Sequence, residues 1–145
     1  MNLLITQSLY DELRAHGEET YPNECCGIML GKSSDDGLHV AALIRAGNTR
    51  TDSAHNRYNI APIELVQAQR NARRAGYDIV GFYHSHPDHP AEWSQTDFAE
   101  AHWFGCAYVI TAVRYGAAKN TNSFLLTGTS EDDKAFADQD ISIIP

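Results

Sequence analysis

The chain has 145 residues, 43% hydrophobic and 21% charged, which suits one ordinary domain with a real core and excludes a disordered chain. A net charge of −8 weighs against a broad nucleic-acid surface, which needs clustered Lys and Arg. The apolar runs are too short for a bilayer span, and "MNLLITQSLYDELR" has neither the basic start nor the long apolar stretch of a secretory signal, so the expected location is cytoplasmic, with no membrane partner.

In chain order, Leu3 to Ile5 reads as a short strand that leads into a helix from about Gln7 to Thr20. Thr6 is its expected N-cap, and Leu9, Tyr10 and Leu13 form its apolar face. "YPNE" ends it. Cys25 to Lys32 is a compact apolar run and reads as a buried strand, followed by the turn "SSDDG" and a return strand from Leu38 to Ala46. "GNTRTDSAHN" is a polar loop and "RYNIA" a short strand. Pro62 to Gly76 carries the usual helix punctuation, with Ile63, Val66 and Ala72 on the inner side and Arg70, Arg73 and Arg74 on the wet side. Tyr77 to His86 is a strong strand, and "SQTDFAEAHWF" begins a helix. Strands follow at Cys106 to Arg114 and Asn122 to Gly128. "EDDKAFADQD" is polar, and "ISII" forms a last edge strand. No repeat, low-complexity tract or linker interrupts the pattern, so residues 1–145 are expected to form a single domain of the α/β class, a central mixed sheet flanked by helices. Cys25, Cys26 and Cys106 make an odd count with no Cys-x-x-Cys pair, which points to reduced thiols rather than to disulfides or a thiolate metal site.

One stretch resists a packing explanation. "FYHSHPDHPAEWSQTD", Phe82 to Asp97, holds three histidines, two aspartates and two prolines. His84 and His86, two apart on a strand, point to one side about 6–7 Å apart at Cα and can converge on one ion. They equally suit a pair of surface or hydrogen-bonded histidines. A mononuclear catalytic zinc takes three protein ligands and leaves a fourth position open. His89 would complete "HSHPDH", the metal signature of the metallo-β-lactamase superfamily, but that fold needs a longer chain and further ligands downstream, where only His102 remains. Asp97 is the better third ligand. "SQTD" is also a capping-box-like helix start, and the two readings are compatible, because a helix beginning at Ser94 holds Asp97 in its first turn.

His84, Ser85, His86 and Pro87, followed by Ser94 and Asp97, match the pattern His-Ser/Thr-His-Pro…Ser-x-x-Asp, and "PNECCGIMLG" places Glu24 just before a buried strand rich in small apolar residues. With these residues the chain resembles the JAMM (MPN+) zinc metalloproteases, from Glu24 to the strand after Asp97. The resemblance implies a cytidine-deaminase-like α/β fold, one Zn2+ per chain held by His84, His86 and Asp97, Glu24 as the base that takes a proton from water and passes it to the leaving amine, and Ser94 as the hydrogen-bond donor to the developing oxyanion. Ser85 is expected to orient the strand end, Pro87 to fix the chain's exit, Trp93 either to wall the substrate groove or to cover the core, and Asp88 and His89 to be rim residues.

The chain resembles the compact stand-alone prokaryotic group of that family. "GNTRTDSAHNRY" is short beside the insertions with which deubiquitinating members grip ubiquitin. The resemblance implies a substrate that is a ubiquitin-like sulfur-carrier protein ending in Gly-Gly, cleaved after the diglycine. Its tail would pass a narrow groove or add as a strand near "RYNIA". The alternatives are a zinc amidase acting on a small peptide or small molecule, a metal-free scaffold, and a DNA-associated relative, which the acidic charge disfavours. A homodimer is left open.

Overall fold

The structure is a computed structural model, and it describes residues 2–48 and 59–145. Its elements in order are β1 (Asn2–Thr6), α1 (Gln7–Thr20), β2 (Cys26–Ser34), β3 (Gly37–Ala46), α2 (Pro62–Ala75), β4 (Asp78–Pro87), α3 (Gln95–Ala99), β5 (Ala107–Arg114), β6 (Ala117–Thr127), β7 (Ala135–Gln139) and β8 (Ile141–Ile144). The strands form one sheet in the order β7-β6-β5-β4-β2-β3-β1-β8. It is mixed: β4 runs parallel to β5 and antiparallel to β2, and β1 runs parallel to β3 and β8. β7 and β8 stand at opposite ends of this order, yet only Asp140 separates them along the chain. The two ends of the sheet are therefore drawn together, and the sheet curls. The Leu3 N–H donates to the Asp140 carbonyl at 2.9 Å across this closure.

Both faces of the sheet are covered, and side chains divide between them with the strand period of two. Met29, Tyr83 and Val109 join Leu13 of α1 in one apolar cluster. Ile28, Leu30, Phe82 and Tyr108 join Ala68 and Ala72 of α2 in the other. α1 starts as its sequence promised, with Thr6 Oγ1 accepting from the Leu9 N–H at 3.3 Å. α2 begins at Pro62 and ends on Gly76, whose left-handed φ of 79° lets its N–H reach the Ala72 and Arg73 carbonyls.

The inner side of α2 differs from expectation. Its buried residues are Ala68 and Ala72, whereas Ile63 is 61% and Val66 42% exposed. Small residues let the helix approach the sheet closely, and this contact turns the larger pair outward. Arg70, Arg73 and Arg74 lie on the wet side as read.

Other elements also depart from the sequence reading. β6 begins at Ala117 rather than Asn122, because it pairs along the whole length of β5. β7 arises in a run that reads as merely polar. Pairing with β6 and insertion of Phe136 among Tyr108, Phe124 and Phe98 outweigh its composition. α3 spans only five residues. Asn59 to Ala61 belong to no strand, so the expected edge strand at "RYNIA" is not formed by its described part. Residues 49–58 of the polar loop and of that segment lie outside the described residues.

β4 sits at the centre, buried from Val80 to Pro87. Its approach to β5 depends on Gly81, where an added Cβ would lie 2.3 Å from the Ala107 carbonyl oxygen and 2.6 Å from Met29 Cε. Backbone cannot yield as a side-chain tip can. Gly81→Ala is expected to destabilise the chain by about 1–3 kcal/mol, read as a lowered urea midpoint at unchanged slope. An unchanged midpoint would show that the two strands can part there without loss.

Candidate functional site

Alternation along β4 sends Tyr83 and Ser85 towards α1, and His84 and His86 to the opposite side, beyond Phe82. The two imidazoles therefore share one space at the strand's C-terminal end, with their Nε2 atoms 3.2 Å apart. Asp97 meets them from α3. Its Oδ1 lies 3.2 Å from His84 Nε2 and its Oδ2 3.1 Å from His86 Nε2.

α3 holds that carboxylate by reciprocal capping. Ser94 Oγ accepts from the Asp97 N–H at 3.0 Å, while Asp97 Oδ2 accepts from the Ser94 N–H at 2.9 Å. The capping reading of "SQTD" and its placement of Asp97 beside the histidines are thus the same structure. His86 is fixed separately: its Nδ1 lies 2.9 Å from the Pro90 carbonyl, and an N–H donated there leaves the Nε2 lone pair facing Asp97 and His84.

Glu24 reaches the same space from the start of β2. The Cys25 N–H donates to Ser85 Oγ at 2.9 Å, the Ser85 N–H to the Cys25 carbonyl at 3.4 Å, and Cys26 stands opposite His84 in register. Ser85 thereby ties the entry of β2 to the exit of β4, the orienting part expected of it. Asn48 adds a hydrogen bond to the Glu24 carbonyl at 3.3 Å. The Glu24 side chain is 4% exposed, its Oε1 has no hydrogen-bond partner among the described residues, and its ligand atom lies within 4.8 Å of those of both histidines.

The donor set fits a metal ion. Tetrahedral zinc with bonds of about 2.0–2.1 Å separates its ligands by about 3.3–3.4 Å, close to the 3.1–3.2 Å found here among His84, His86 and Asp97. Two imidazoles and a carboxylate are also the ligand types zinc takes in open sites. Glu24 presents a carboxylate oxygen within 4.8 Å of both imidazoles, and its orphaned Oε1 needs a partner that an ion or an ordered water would supply.

Electrostatics follow the geometry. Burial pushes Glu24 up to about 8, helped by the Asp97 and Glu100 charges and opposed by His86. Burial also lowers His84. Burial works against the charged forms of His86 and Asp97 too, but their contacts prevail: His86 is raised by Asp97, and Asp97 is held well below the usual carboxylate range by the two histidines and the Ser94 N–H.

These directions predict a pH dependence in the presence of a chelator. Between pH 6.5 and about 8 the native state keeps protons on Glu24 and His86 that the unfolded chain releases, so stability must fall as pH rises. His84 and His16, both lowered, act only below pH 6.5. The Glu24 contribution across this window is about 2 kcal/mol. Thermal melts in chelator should show the decline, and Glu24→Gln should flatten it. A flat wild-type profile would mean that Glu24 is not buried as described.

Glu24, His86, His89, Pro90, Glu92, Trp93 and Ser94 line a cleft of about 360 Å³ over the site. Trp93 borders the cleft, and its ring packs at a tilt against Phe98 and Phe136 with centroids 5.4 Å away in each case. His89 is a rim residue and lies outside the histidine–carboxylate group. Asp88 is not a spare rim acid. It adopts a φ of 57°, its Oδ2 accepts from the Tyr21 hydroxyl at 2.5 Å and its Oδ1 from the Tyr115 N–H at 2.8 Å, which clips the end of β4 to its neighbours. His102 pairs with Glu131 at 2.6 Å on the exposed surface. Cys25, Cys26 and Cys106 are free and buried, and burial pushes their thiols up to about 11, 12 and 12, so they are unreactive. Sequence reasoning did not find the Pro90 carbonyl behind His86 or Lys134 behind α3. Neither contact leaves a local signal, because one is a backbone atom and the other comes from a distant loop.

The class, a hydrolytic peptidase, follows from this cluster at the end of the central strand taken together with the family and the relatives that the chain matches. The chain belongs to the prokaryotic homologs of the JAB domain, whose pattern matches residues 6–127. It is 35% identical over 104 residues to a desampylase of Haloferax volcanii, covering 69% of this chain and 73% of that one. It is 32% identical over 101 residues to a probable TtuB-protein conjugate cleaving protease of Thermus thermophilus, covering 70% of this chain and 64% of that one. The solution structure of a Salinibacter ruber protein matches with a TM-score of 0.73 and 41% identity over 99% of this chain and 92% of its own. A Desulfitobacterium hafniense protein at 24% identity shares the fold, with a TM-score of 0.78 over 98% of this chain and 94% of its own.

Proposed function

We propose that the chain is a zinc-dependent peptidase that cleaves the peptide or isopeptide bond after the C-terminal Gly-Gly of a ubiquitin-like sulfur-carrier protein, with residues 1–145 acting as one domain. The observation that carries this reading is the triangle of His84, His86 and Asp97 at 3.1–3.2 Å, faced by the buried Glu24. In it, His84, His86 and Asp97 would hold the zinc, which supplies a Lewis acid for the scissile carbonyl and lowers the pKa of water towards about 7. Glu24, set within 4.8 Å of the histidine nitrogens rather than in their triangle, takes the proton of the attacking water as the new C–O bond forms. It returns that proton to the amine as the C–N bond breaks, leaving a carrier carboxylate and a free amine.

Ser94 suits the oxyanion. Its hydroxyl oxygen already accepts from the Asp97 N–H, which leaves the hydroxyl proton available for donation to the cleft that Ser94 lines. The substrate class rests on the relatives named for desampylation and for cleaving TtuB conjugates. A Gly-Gly tail suits a cleft of about 360 Å³ walled by Trp93 and Pro90, since it passes without side chains. Unreactive, reduced thiols fit a reducing compartment such as the cytoplasm, and no helix among the described residues is long and apolar enough to cross a membrane.

The test is hydrolysis of a diglycine-ended carrier extended by cysteine or a short peptide, and of its lysine-linked conjugate, with zinc measured on the same sample. Cleavage after the diglycine is expected. A zinc-loaded protein that leaves both intact would move the substrate to small peptides or small-molecule amides, and a protein without metal would leave only the scaffold reading.

A further inference from the structure

α3 is one turn long, too short to persist by its own hydrogen bonds, yet it carries Asp97. Its N-terminal end is closed by the capping box. Its C-terminal end is closed from far away in the chain. Lys134, in the segment between β6 and β7, donates from Nζ to the carbonyls of Phe98 at 2.8 Å, Ala101 at 3.1 Å and Ala99 at 3.4 Å. Its side chain is only 5% exposed, and its ammonium lies 4.8 Å from the centre of the Phe98 ring. Glu131 completes its surroundings at 2.7 Å and holds His102, just past the helix, at 2.6 Å.

A buried ammonium is costly unless its donors are satisfied. Here the satisfying groups are the carbonyls at the end of one short helix, where a positive charge also favours the helix dipole. Without that cation, the carbonyls of Phe98, Ala99 and Ala101 lose their common partner, and the C-terminal end of the turn that orients Asp97 keeps only the backbone bonds from Glu100 and Ala101 and the Phe98 ring contacts.

We propose that Lys134 is a positioning residue for the metal site: it fixes α3 from its C-terminal end and so keeps Asp97 in the triangle with His84 and His86. This rests on the reading of Asp97 as a metal ligand. Lys134 touches neither ion nor substrate, and its effect passes through the helix.

The test compares wild type, Lys134→Met and Lys134→Gln for zinc affinity by chelator competition, for the visible spectrum of the Co2+-substituted site, and for thermal stability. K134M, shown to be folded by near-UV circular dichroism, is expected to bind zinc about 10- to 100-fold more weakly, the usual cost of losing an outer partner of a ligand. Its Co2+ bands should weaken or shift, and lost turnover should return at high zinc with KM unchanged. K134Q, which keeps a shorter donor, should fall between the two and is read by the same criteria if K134M does not fold. A folded variant with a lower melting temperature but wild-type zinc affinity and Co2+ spectrum would overturn the inference and leave the metal site intact. Wild type that binds no zinc would overturn the inference together with the metal-site reading, and Asp97→Asn that binds it as tightly as wild type would overturn the inference together with the reading of Asp97 as a ligand.

Discussion

Glu24→Gln is expected to keep its zinc and lose roughly 10²- to 10⁴-fold in kcat, the range over which a positioned general base contributes. Glutamine is close to isosteric and suits a site where burial already favours the uncharged side chain, since Glu24 is pushed up to about 8. The fold should therefore tolerate the change, and the melting temperature in chelator at pH 8 should rise. What disappears is the capacity to accept a proton. A positive charge bound beside Glu24 would favour its ionised form, so the same carboxyl that is protonated without metal becomes a base with it. Metal content and turnover measured on one preparation separate the outcomes. Full activity in a zinc-loaded variant would remove Glu24 from the chemistry. Loss of zinc along with activity would make it a ligand.

Asp97→Asn is expected to lower zinc affinity by about 100-fold or more, if the ~10–16 kcal/mol of a four-ligand zinc site is shared roughly equally among its ligands. The amide can still accept from the Ser94 N–H and keep the cap, so α3 should survive. It cannot, however, present an anionic oxygen to each imidazole as Asp97 does at 3.2 and 3.1 Å. One of its two positions becomes an N–H₂ donor facing a histidine nitrogen. Removal of Asp97 also removes the main influence that raises His86, so the apparent pKa of that histidine, followed by NMR in chelator, should fall. Unchanged zinc affinity would exclude Asp97 as a ligand and leave Glu24, His84 and His86 as the only metal group among the described residues.

The parts of the site that were legible are those a local pattern can encode. His-x-His at the end of an apolar run states that two imidazoles share a side, because strand side chains alternate. "SQTD" states that Asp97 sits in the first turn of a helix, because that spacing makes a capping box. Pro62 and Gly76 bracket α2 for equally local reasons. The errors fall where neighbours decide. Ile63 and Val66 looked like a helix's inner side, but helix–sheet contact through Ala68 and Ala72 turned them outward. β7 looked like polar loop until β6 offered an edge and Phe136 a place among aromatic rings. Asp88 looked spare until Tyr21 and the Tyr115 N–H arrived from other parts of the chain.

By itself, then, the order of residues determined the α/β class, the strand that carries the histidines and the cap that carries Asp97. All of these depend on intervals of two to four residues and on backbone chemistry within a single turn or strand. Only the tertiary structure decided that Glu24, 60 residues before His84 in the chain, faces the same space, since Ser85 brings the two strand ends together through the Cys25 backbone. Only it showed that His86 is oriented by a carbonyl and α3 closed by a lysine 37 residues beyond Asp97. Such contacts are made when a sheet curls and loops meet across it, and no interval along the chain records which loops will meet.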